Sequence, residues 1–270
     1  LYRIYCQLLE ECGLDPLSEA EYERRKIPYE DVFPMLYLKY RLEGGNHSHK
    51  NIKHLVIDEM QDYSRLQYLI IRRMFSCKMT ILGDRAQTMA DQQQDVLQVL
   101  PGIFGKDLRR IEMRKSYRNT VEIASYAANL IGVTDLELFE RHGMPVLERD
   151  VTDLEAALRE AVDTLFPEEK TYETAAVIVP DEKTAERAYL ILLEILAEKD
   201  FDCEKRLSWL NRDSSSFKKG LTVTTFYLAK GLEFDQVFSI FPKDEKREMM
   251  MQAQYIAATR ALHELRVYHI

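Results

Sequence analysis

The sequence lacks the features that mark membrane-spanning and secreted proteins. No uninterrupted apolar stretch approaches the roughly 20 residues that a membrane-spanning helix needs, and the N-terminus has no signal-peptide pattern. The four cysteines form no Cys-x-x-Cys pair, and the histidines near them are not spaced as zinc ligands. We therefore expect a cytoplasmic protein with no membrane partner, whose cysteines are reduced core thiols.

The sequence also lacks an excess of basic residues. Its 45 aspartates and glutamates outnumber its 37 lysines and arginines, which gives a formal net charge of -8. A surface that binds nucleic acid over its whole area is therefore not expected, although a single groove could still be basic. The acidic balance leaves room for a protein partner.

The most informative pattern present is an apolar run that ends in acids. Leu55, Val56 and Ile57 form a short branched stretch, and Asp58 and Glu59 follow it directly. Such a stretch is typical of a strand buried on both faces of a parallel sheet, and ligands of these sheets collect at the carboxyl ends of the strands. One carboxylate there can hold Mg²⁺ on nucleotide phosphates while its neighbour orients or deprotonates water. The alternative is two acids in a surface turn.

Strands and helices alternate along a chain that, at 270 residues, is long enough for two domains. Helices are predicted at 1–12, 31–43, about 153–166 and about 246–262, and strands at 54–58, 79–82, 108–113, 175–179, 221–226, 236–241 and 265–268. Ser64 with Gln67, and Asn119 with Glu122, have the spacing of helix-capping pairs. This alternation predicts an α/β fold with a mostly parallel sheet.

Five blocks of the sequence together resemble a known family. They are Ile57-Asp58-Glu59-Met60-Gln61-Asp62, Gly83-Asp84-Arg85-Ala86-Gln87, Ser116-Tyr117-Arg118-Asn119, Ala229-Lys230-Gly231-Leu232-Glu233-Phe234-Asp235 and Ala258-Thr259-Arg260-Ala261. Each block is weak by itself, but their order is that of the motifs in superfamily 1 helicases of the UvrD/Rep class. Segments 27–40, 62–64 and 261–265 are most similar to the helicase IV or HelD-like branch of that class.

The resemblance implies a P-loop NTPase fold with RecA-like parallel sheets and flanking helices. Residues 1–115 would be the distal part of a first lobe, and residues 116–270 a second lobe. In the first lobe Asp58 would hold Mg²⁺, Glu59 would be the general base, and Gln87 would sense the γ-phosphate of ATP.

The resemblance assigns the remaining nucleotide contacts to the second lobe. Tyr117 would stack on adenine and Arg118 would reach the γ-phosphate. Gly231 and Glu233 would contact the nucleotide, the glutamate at its sugar, and Arg260 would be a second arginine finger. Hydrolysis would then require the two lobes to close.

The phosphate-binding loop of this family is missing from the sequence. No Gly-x-x-x-x-Gly-Lys-Ser/Thr occurs, and the nearest candidate, Gly105-Lys106, is followed by Asp107 and has Leu100 in place of the first glycine. Without this loop there is no cradle for phosphates and no hydroxyl for Mg²⁺. We therefore expect a C-terminal portion of a longer motor that does not hydrolyse ATP alone; a natural degenerate paralogue is the alternative.

Two departures from the family pattern keep several functions open. Residues 88–103 contain no aromatic side chain to stack on a DNA base, and Tyr227 replaces the usual histidine of the fifth motif. Trp209, the only tryptophan, is expected in the core. The parent protein could be a helicase or translocase on single-stranded DNA, or a HelD-like ATPase that remodels RNA polymerase. A non-catalytic interaction module is the third possibility.

Overall fold

The computed structural model describes residues 1–18, 20–44, 49–87, 96–105, 108–113, 115–134, 137–199, 202–214, 219–243 and 248–270. Within these ranges, the residues up to Ile111 form one compact unit and those from Glu112 onward form a second. Lys106 and Asp107, part of the nearest candidate for a phosphate-binding loop, lie outside the described residues, as do residues 88–95. The assignment of the two units to helicase lobes stays a prediction.

The first unit consists of helices around a small parallel sheet. Its elements are α1 (Tyr2–Glu11), α2 (Tyr29–Leu42), β1 (His54–Ile57), α3 (Arg65–Met74), β2 (Lys78–Ile81) and α4 (Val96–Phe104), with 3-10 turns at Tyr22–Arg24, Met60–Asp62 and Arg85–Gln87. Strands β1 and β2 pair in parallel, with His54 opposite Lys78 and Ile57 opposite Ile81. The two strands therefore end side by side.

The capping pair predicted at the start of α3 is confirmed. The Ser64 hydroxyl accepts a hydrogen bond from the Gln67 backbone N–H at 3.3 Å, and the Gln67 side chain accepts one from the Ser64 N–H at 2.7 Å. One turn later, the buried Tyr68 donates its hydroxyl proton to the carbonyl oxygen of Met60 at 2.8 Å. Helix α3 thus fixes the turn that follows β1.

Strand β1 is not buried on both faces, so that expectation is wrong. Ile57 is buried against Tyr68 and Leu100, whereas the side chain of Val56 is 60% exposed. Among the described residues β1 pairs only with β2, and the apolar cluster lies on the Ile57 side. A branched apolar run therefore does not by itself distinguish a strand covered on one face from one covered on both.

The second unit is built on a larger parallel sheet. Its elements are β3 (Lys115–Ser116), α5 (Val121–Leu130), β4 (Glu137–Leu138), β5 (Leu147–Asp150), α6 (Leu154–Asp163), β6 (Thr174–Val179), α7 (Glu182–Ala197), α8 (Cys203–Arg206), β7 (Leu207–Trp209), β8 (Gly220–Thr225), β9 (Phe234–Phe241), α9 (Glu248–Thr259) and β10 (Ala261–His269). Six strands lie in the order β5-β10-β9-β6-β8-β7, and all their pairings are parallel. Strands β3 and β4 form a separate short pair.

Helices cover both faces of this sheet. Apolar residues of α6 and α7 form one cluster with alternate residues of the central strands, and residues of α5 and α9 form another with the remaining ones. The aspartates Asp153 and Asp181 cap α6 and α7 by accepting hydrogen bonds from the first-turn backbone. A parallel sheet between helical layers fits the RecA-like α/β class. The fold-class prediction is confirmed.

Three local predictions are wrong. Residues 108–113 form no strand, and the side chains of Ile111 and Met113 are both 86% exposed. Helix α5 is capped by Thr120, whose hydroxyl accepts from the Ile123 N–H at 3.5 Å, and not by Asn119. Cys12 is exposed and therefore is not a core thiol.

Two further observations concern the packing of Trp209 and the character of the helices. Trp209 stacks on Tyr189, with ring centroids 5.9 Å apart, and packs against the α6–α7 cluster, so its predicted core position is confirmed. No helix in the described part of the chain combines the length and the apolar character that a membrane crossing requires.

Candidate functional site

The predicted acids of the first unit lie at the carboxyl end of β1. The ladder continues past the strand, because the Leu82 N–H donates to the Ile57 carbonyl and the Met60 N–H donates to the Leu82 carbonyl, each at 2.8 Å. These bonds hold Glu59 in a left-handed backbone conformation, with φ 52° and ψ 50°. Such a conformation costs a non-glycine residue about 1 to 3 kcal/mol. The turn that presents Glu59 is therefore strained and held on both sides.

A chain of side-chain hydrogen bonds connects Glu59 with Gln87. The amide of the buried Gln61 donates to Glu59 Oε2 at 2.5 Å, and its oxygen accepts from the Asp84 N–H at 3.1 Å. The Asp84 carboxylate in turn accepts from the Gln87 side-chain amide at 2.9 Å and from the Ala86 N–H at 2.9 Å. Glu59 and Gln87, which the first two motifs predict to be the general base and the γ-phosphate sensor, thus belong to one network.

Gly83 allows this network to form. A Cβ atom at Gly83 would lie 2.5 Å from Gln61 Oε1 and 2.6 Å from the backbone nitrogen of Met60. Because one of these neighbours is backbone, the clash is not relieved by a rotamer change. Glycine is therefore required where the two strand ends approach each other.

Asp58 has the chemistry of a partial Mg²⁺ ligand. Its carboxylate is exposed, and Oδ1 accepts a hydrogen bond from the Glu59 N–H at 2.8 Å. The described residues contain no group of three or more histidine, cysteine or acidic side chains arranged to hold a metal ion. Mg²⁺ bound to nucleotides generally takes only one or two protein carboxylates, with phosphates and water completing its shell. A single exposed carboxylate fits that role.

In the second unit, the fourth and fifth predicted motifs meet in an ion pair. Arg118 Nε lies 2.7 Å from Glu233 Oε1, and the two side chains are 48% and 41% exposed. Pairs this exposed contribute about 0 to 1 kcal/mol to stability. Gly231, two residues before the glutamate, has φ 77°, a left-handed conformation that favours glycine. Arg118 and Glu233 are thus adjacent, and their contact is weak enough to exchange for other partners.

Tyr117 presents an open aromatic face beside a second ring. Its side chain is 61% exposed, and its ring centroid lies 5.8 Å from that of Phe139. The Lys115 ammonium lies 5.5 Å from the Tyr117 centroid and 6.0 Å from that of Phe139. Pairing of β3 with β4 brings these residues together, and the Phe139 N–H extends it by donating to the Ser116 carbonyl at 3.1 Å.

Arg260 is placed quite differently from Arg118. Its side chain is 1% exposed, and Nε donates to the Ile256 carbonyl at 3.2 Å. Nη1 donates to the Leu232 carbonyl at 3.4 Å and Nη2 to the Thr259 hydroxyl at 3.1 Å. A role as an arginine finger therefore requires this guanidinium to exchange protein partners for phosphate.

Sequence reasoning missed the contacts that join the loops around these arginines. The Asn119 side chain donates to the carbonyls of Thr259 and Ala261, at 3.2 Å and 2.6 Å. Arg141 Nη2 donates to the carbonyls of Arg118 and Leu262, the latter at 2.7 Å. Asn119 belongs to one of the motif blocks, but its hydrogen-bond partners lie more than 100 residues away in the sequence and were not predictable from it. Arg141 lies in an irregular segment that carries no periodic signal.

The same segment also binds the first turn of α5. Glu122 Oε1 lies 2.9 Å from His142 Nδ1, and Oε2 accepts from the Gly143 N–H at 2.9 Å. The hydrogen bond with His142, assisted by the Gly143 N–H, lowers the pKa of Glu122 to about 2. Close packing supports the contact, since a Cβ at Gly143 would lie 2.6 Å from Thr120 Cγ2.

Comparison with known families supports a helicase relationship for the first unit. Residues 14–89 match the family described as the UvrD/REP helicase N-terminal domain. The match includes Asp58, Glu59 and Gln87, and it does not extend to the predicted motifs of the second unit. No curated protein matches the chain.

Similar solved structures come from helicases. One is the C-terminal domain of a possible DNA helicase from Lactobacillus plantarum WCFS1, with 24% identity, a TM-score of 0.43, and coverage of 57% of this chain and 88% of that one. The PRRSV helicase has 16% identity and a TM-score of 0.44, covering all of this chain and 45% of its own. Arterivirus nonstructural protein 10 (helicase) with DNA has 14% identity and a TM-score of 0.40, covering 80% and 40%.

Proposed function

We propose that this chain forms part of the ATP-hydrolysing motor of a superfamily 1 helicase or translocase of the UvrD/Rep type, acting on single-stranded DNA. The observation that carries the proposal is the hydrogen-bond chain from Glu59 through Gln61 and Asp84 to Gln87. It lies where two parallel strands end together, which is where such sheets bind ligands. The family match over residues 14–89 supports the same proposal.

In the proposed reaction, the first unit handles the attacking water and the metal. Glu59 acts as the general base, and the hydrogen bond from Gln61 holds its carboxylate in place. Asp58 holds Mg²⁺, which would neutralise charge on the phosphate oxygens. Gln87 contacts the γ-phosphate, and through Asp84 its position is coupled to that of Glu59.

The second unit supplies the adenine contact and positive charge. Tyr117 stacks on the base, and the neighbouring Phe139 enlarges the aromatic surface. Arg118 and Arg260 compensate the charge that develops on the transferred phosphoryl group, an effect worth roughly 10³ to 10⁵ in rate for an arginine finger. Arg118 must exchange Glu233 for phosphate, and Glu233 is then released to contact the sugar of the nucleotide. Nucleotide binding would in this way favour closure of the two lobes, and hydrolysis would occur only in the closed arrangement.

The proposal requires a phosphate-binding loop from outside these 270 residues. The sequence contains no lysine and hydroxyl pair in the pattern that cradles phosphates. The chain alone should therefore show little or no affinity for ATP by calorimetry. Micromolar binding by the isolated chain would contradict this division of the site.

A second candidate is a HelD-like ATPase that binds and remodels RNA polymerase. The net charge of -8 and the lack of an aromatic residue in 88–103 favour it, because both weaken a single-stranded DNA track. In this case the same acids and arginines would hydrolyse ATP, and the mechanical work would act on a protein. The two candidates therefore differ in partner and share the ATP chemistry.

The ATP chemistry is tested by Glu59→Gln in the intact natural protein that carries these residues. Positioned general bases contribute about 10² to 10⁴ in rate, so kcat for ATP hydrolysis should fall by that factor. Glu43→Gln, an exposed acid just after α2, is the matched control and should leave kcat unchanged. Equal turnover by wild-type protein and Glu59→Gln would reject the general-base assignment, and absence of turnover in the wild-type protein would favour a non-catalytic interaction module.

The partner is tested with the same protein. The helicase proposal predicts ATP hydrolysis that single-stranded DNA stimulates and strand displacement that Glu59→Gln abolishes. Co-purification of RNA polymerase together with absent strand displacement would instead establish the second candidate.

A further inference from the structure

The loops that carry Arg118 and Arg260 are far apart in sequence but share hydrogen bonds through two side chains. We propose that Arg141, together with Asn119, is a positioning residue that joins these two loops and keeps the two arginines in a fixed relative place. The inference rests on the proposed function, because it concerns the arginines that would meet the phosphates. Arg141 lies outside all five motif blocks.

Arg141 makes the most direct connection. A single nitrogen, Nη2, donates both to the carbonyl of Arg118 and to the carbonyl of Leu262. Its Nε is buried and has no hydrogen-bond partner among the described residues. The side chain is therefore oriented by its two Nη2 contacts rather than by satisfaction of the whole guanidinium group. One guanidinium thus holds the backbone of both loops.

Asn119 makes a second connection beside the first. Its buried side-chain amide donates to the carbonyls of Thr259 and Ala261, the two residues that flank Arg260. With Arg141 on the carbonyl of Leu262, three carbonyls at the junction of α9 and β10 are bound from the Arg118 side. Displacement of either loop would break hydrogen bonds to the other.

The segment that carries Arg141 is itself bound at both ends of the Arg118 loop. The Phe139 N–H donates to the Ser116 carbonyl at 3.1 Å, and the Arg141 carbonyl accepts from the Val121 N–H at 2.9 Å. Further along, the Gly143 N–H donates to the Glu122 carboxylate. Residues 139–143, which we term the strap, therefore lie along the loop from before Tyr117 to the start of α5.

Hydrogen–deuterium exchange tests the connection without reference to activity. Arg141→Met keeps the apolar stem but removes every donor, so peptides covering 115–122 and 258–264 should both exchange at least several-fold faster. Arg141→Lys keeps a positive donor and should show a smaller increase in both. Arg149→Met changes an exposed arginine paired with Glu160 and should alter neither peptide. Unchanged exchange in Arg141→Met, or faster exchange in only one loop, would overturn the proposal.

The kinetic arm uses the intact natural protein. Loss of alignment of about 1 Å can cost about 10²-fold in rate, so Arg141→Met should lower kcat about 10- to 100-fold while KM for ATP changes much less. Arg141→Lys should recover part of kcat. A melting temperature within error of wild type, with lowered kcat, separates positioning from general destabilisation, and a normal kcat in Arg141→Met would refute the positioning role.

The two arms also separate this inference from the proposed function. If the wild-type protein does not hydrolyse ATP but Arg141→Met loosens both loops, the ATPase proposal fails and the connection stands as a structural one without a positioning role. If the wild-type protein hydrolyses ATP and Arg141→Met neither loosens the loops nor slows turnover, the ATPase proposal stands and the inference fails.

Discussion

The two units hold their predicted site residues through different kinds of contact. In the first unit, Asp58 and Glu59 follow a strand of a two-stranded sheet, and the Gln61 side chain, itself bound by the Asp84 N–H, donates directly to the Glu59 carboxylate. In the second unit, Arg118 and Arg260 lie on loops beside a six-stranded sheet whose central strands are fully buried. There, the side chains of Asn119 and Arg141 bind backbone carbonyls of the loops, while the guanidinium groups keep separate partners: exposed Glu233 for Arg118, and groups including the Thr259 hydroxyl for the buried Arg260.

The difference shows what each kind of chemistry demands. A general base needs its carboxylate oriented, and the hydrogen bond from Gln61 to Glu59 on a strained backbone fits the role proposed for Glu59. A charge-compensating arginine must change partners, so bonds to its side chain have to be exchangeable while its backbone stays fixed. The exposed Arg118–Glu233 pair and the carbonyl contacts of Asn119 fit that requirement.

The largest expected effect on stability comes from comparing the same substitution, valine to alanine, in the two sheets. Val177 in β6 is fully buried, whereas Val56 in β1 is 60% exposed. Val177→Ala removes two buried methyl groups and leaves a cavity, so it should lower the free energy of unfolding by about 2 to 4 kcal/mol. Val56→Ala should cost less than about 1 kcal/mol. Urea denaturation measures both, and equal losses would show that β1 is covered as deeply as β6.

A smaller effect is expected where the first unit's network depends on close packing. Gly83→Ala places a methyl group against Gln61 and the Met60 nitrogen, and overpacking of this kind costs about 1 to 3 kcal/mol. Gly102→Ala, in α4 with nothing within 4 Å of the added Cβ, should be neutral or stabilising. Thermal melts compare the melting temperatures of the two variants. Equal melting temperatures would show that the network does not depend on close packing at Gly83.

The smallest effect concerns pH and the strap. The hydrogen bond with His142 lowers the pKa of Glu122 from 4.5 to about 2, so ionised Glu122 favours the folded state. This stabilisation is fully present above the unfolded-state pKa and is lost as the pH falls from about 4.5 towards about 2. Glu122→Gln should therefore make the free energy of unfolding less dependent on pH in that range. A carboxyl titration by NMR that gave an ordinary pKa for Glu122 would contradict the contact.

Local patterns predicted from sequence succeeded where the partners are close along the chain. The Ser64–Gln67 cap was predictable because both bonds span three residues, and β6 because its apolar run lies between turn signals. The strand expected at 108–113 is absent because apolar residues at Leu108, Ile111 and Met113 do not reveal whether a pairing strand is adjacent, and Ile111 is 86% exposed.

The missing parts of the site are long-range contacts. Asn119 has good capping chemistry, and only the structure shows that it binds carbonyls 140 and 142 residues away. Phe139 and Arg141 lie in a segment whose place is set by a two-residue strand pair, which is too short for a periodic signal. The motif blocks therefore indicate candidate functional residues, whose roles stay predictions, but they do not indicate the residues that hold them.

The proposed function requires Glu59 and Arg118 to serve one hydrolysis reaction, and a double-mutant cycle on kcat for ATP hydrolysis tests this requirement most directly. The cycle compares Glu59→Gln, Arg118→Ala and the double variant in the intact natural protein. Residues that act as a unit have strongly non-additive effects, so the account predicts a double variant about as slow as the slower single variant. Losses that multiply, or an Arg118→Ala variant with normal kcat, would contradict this requirement.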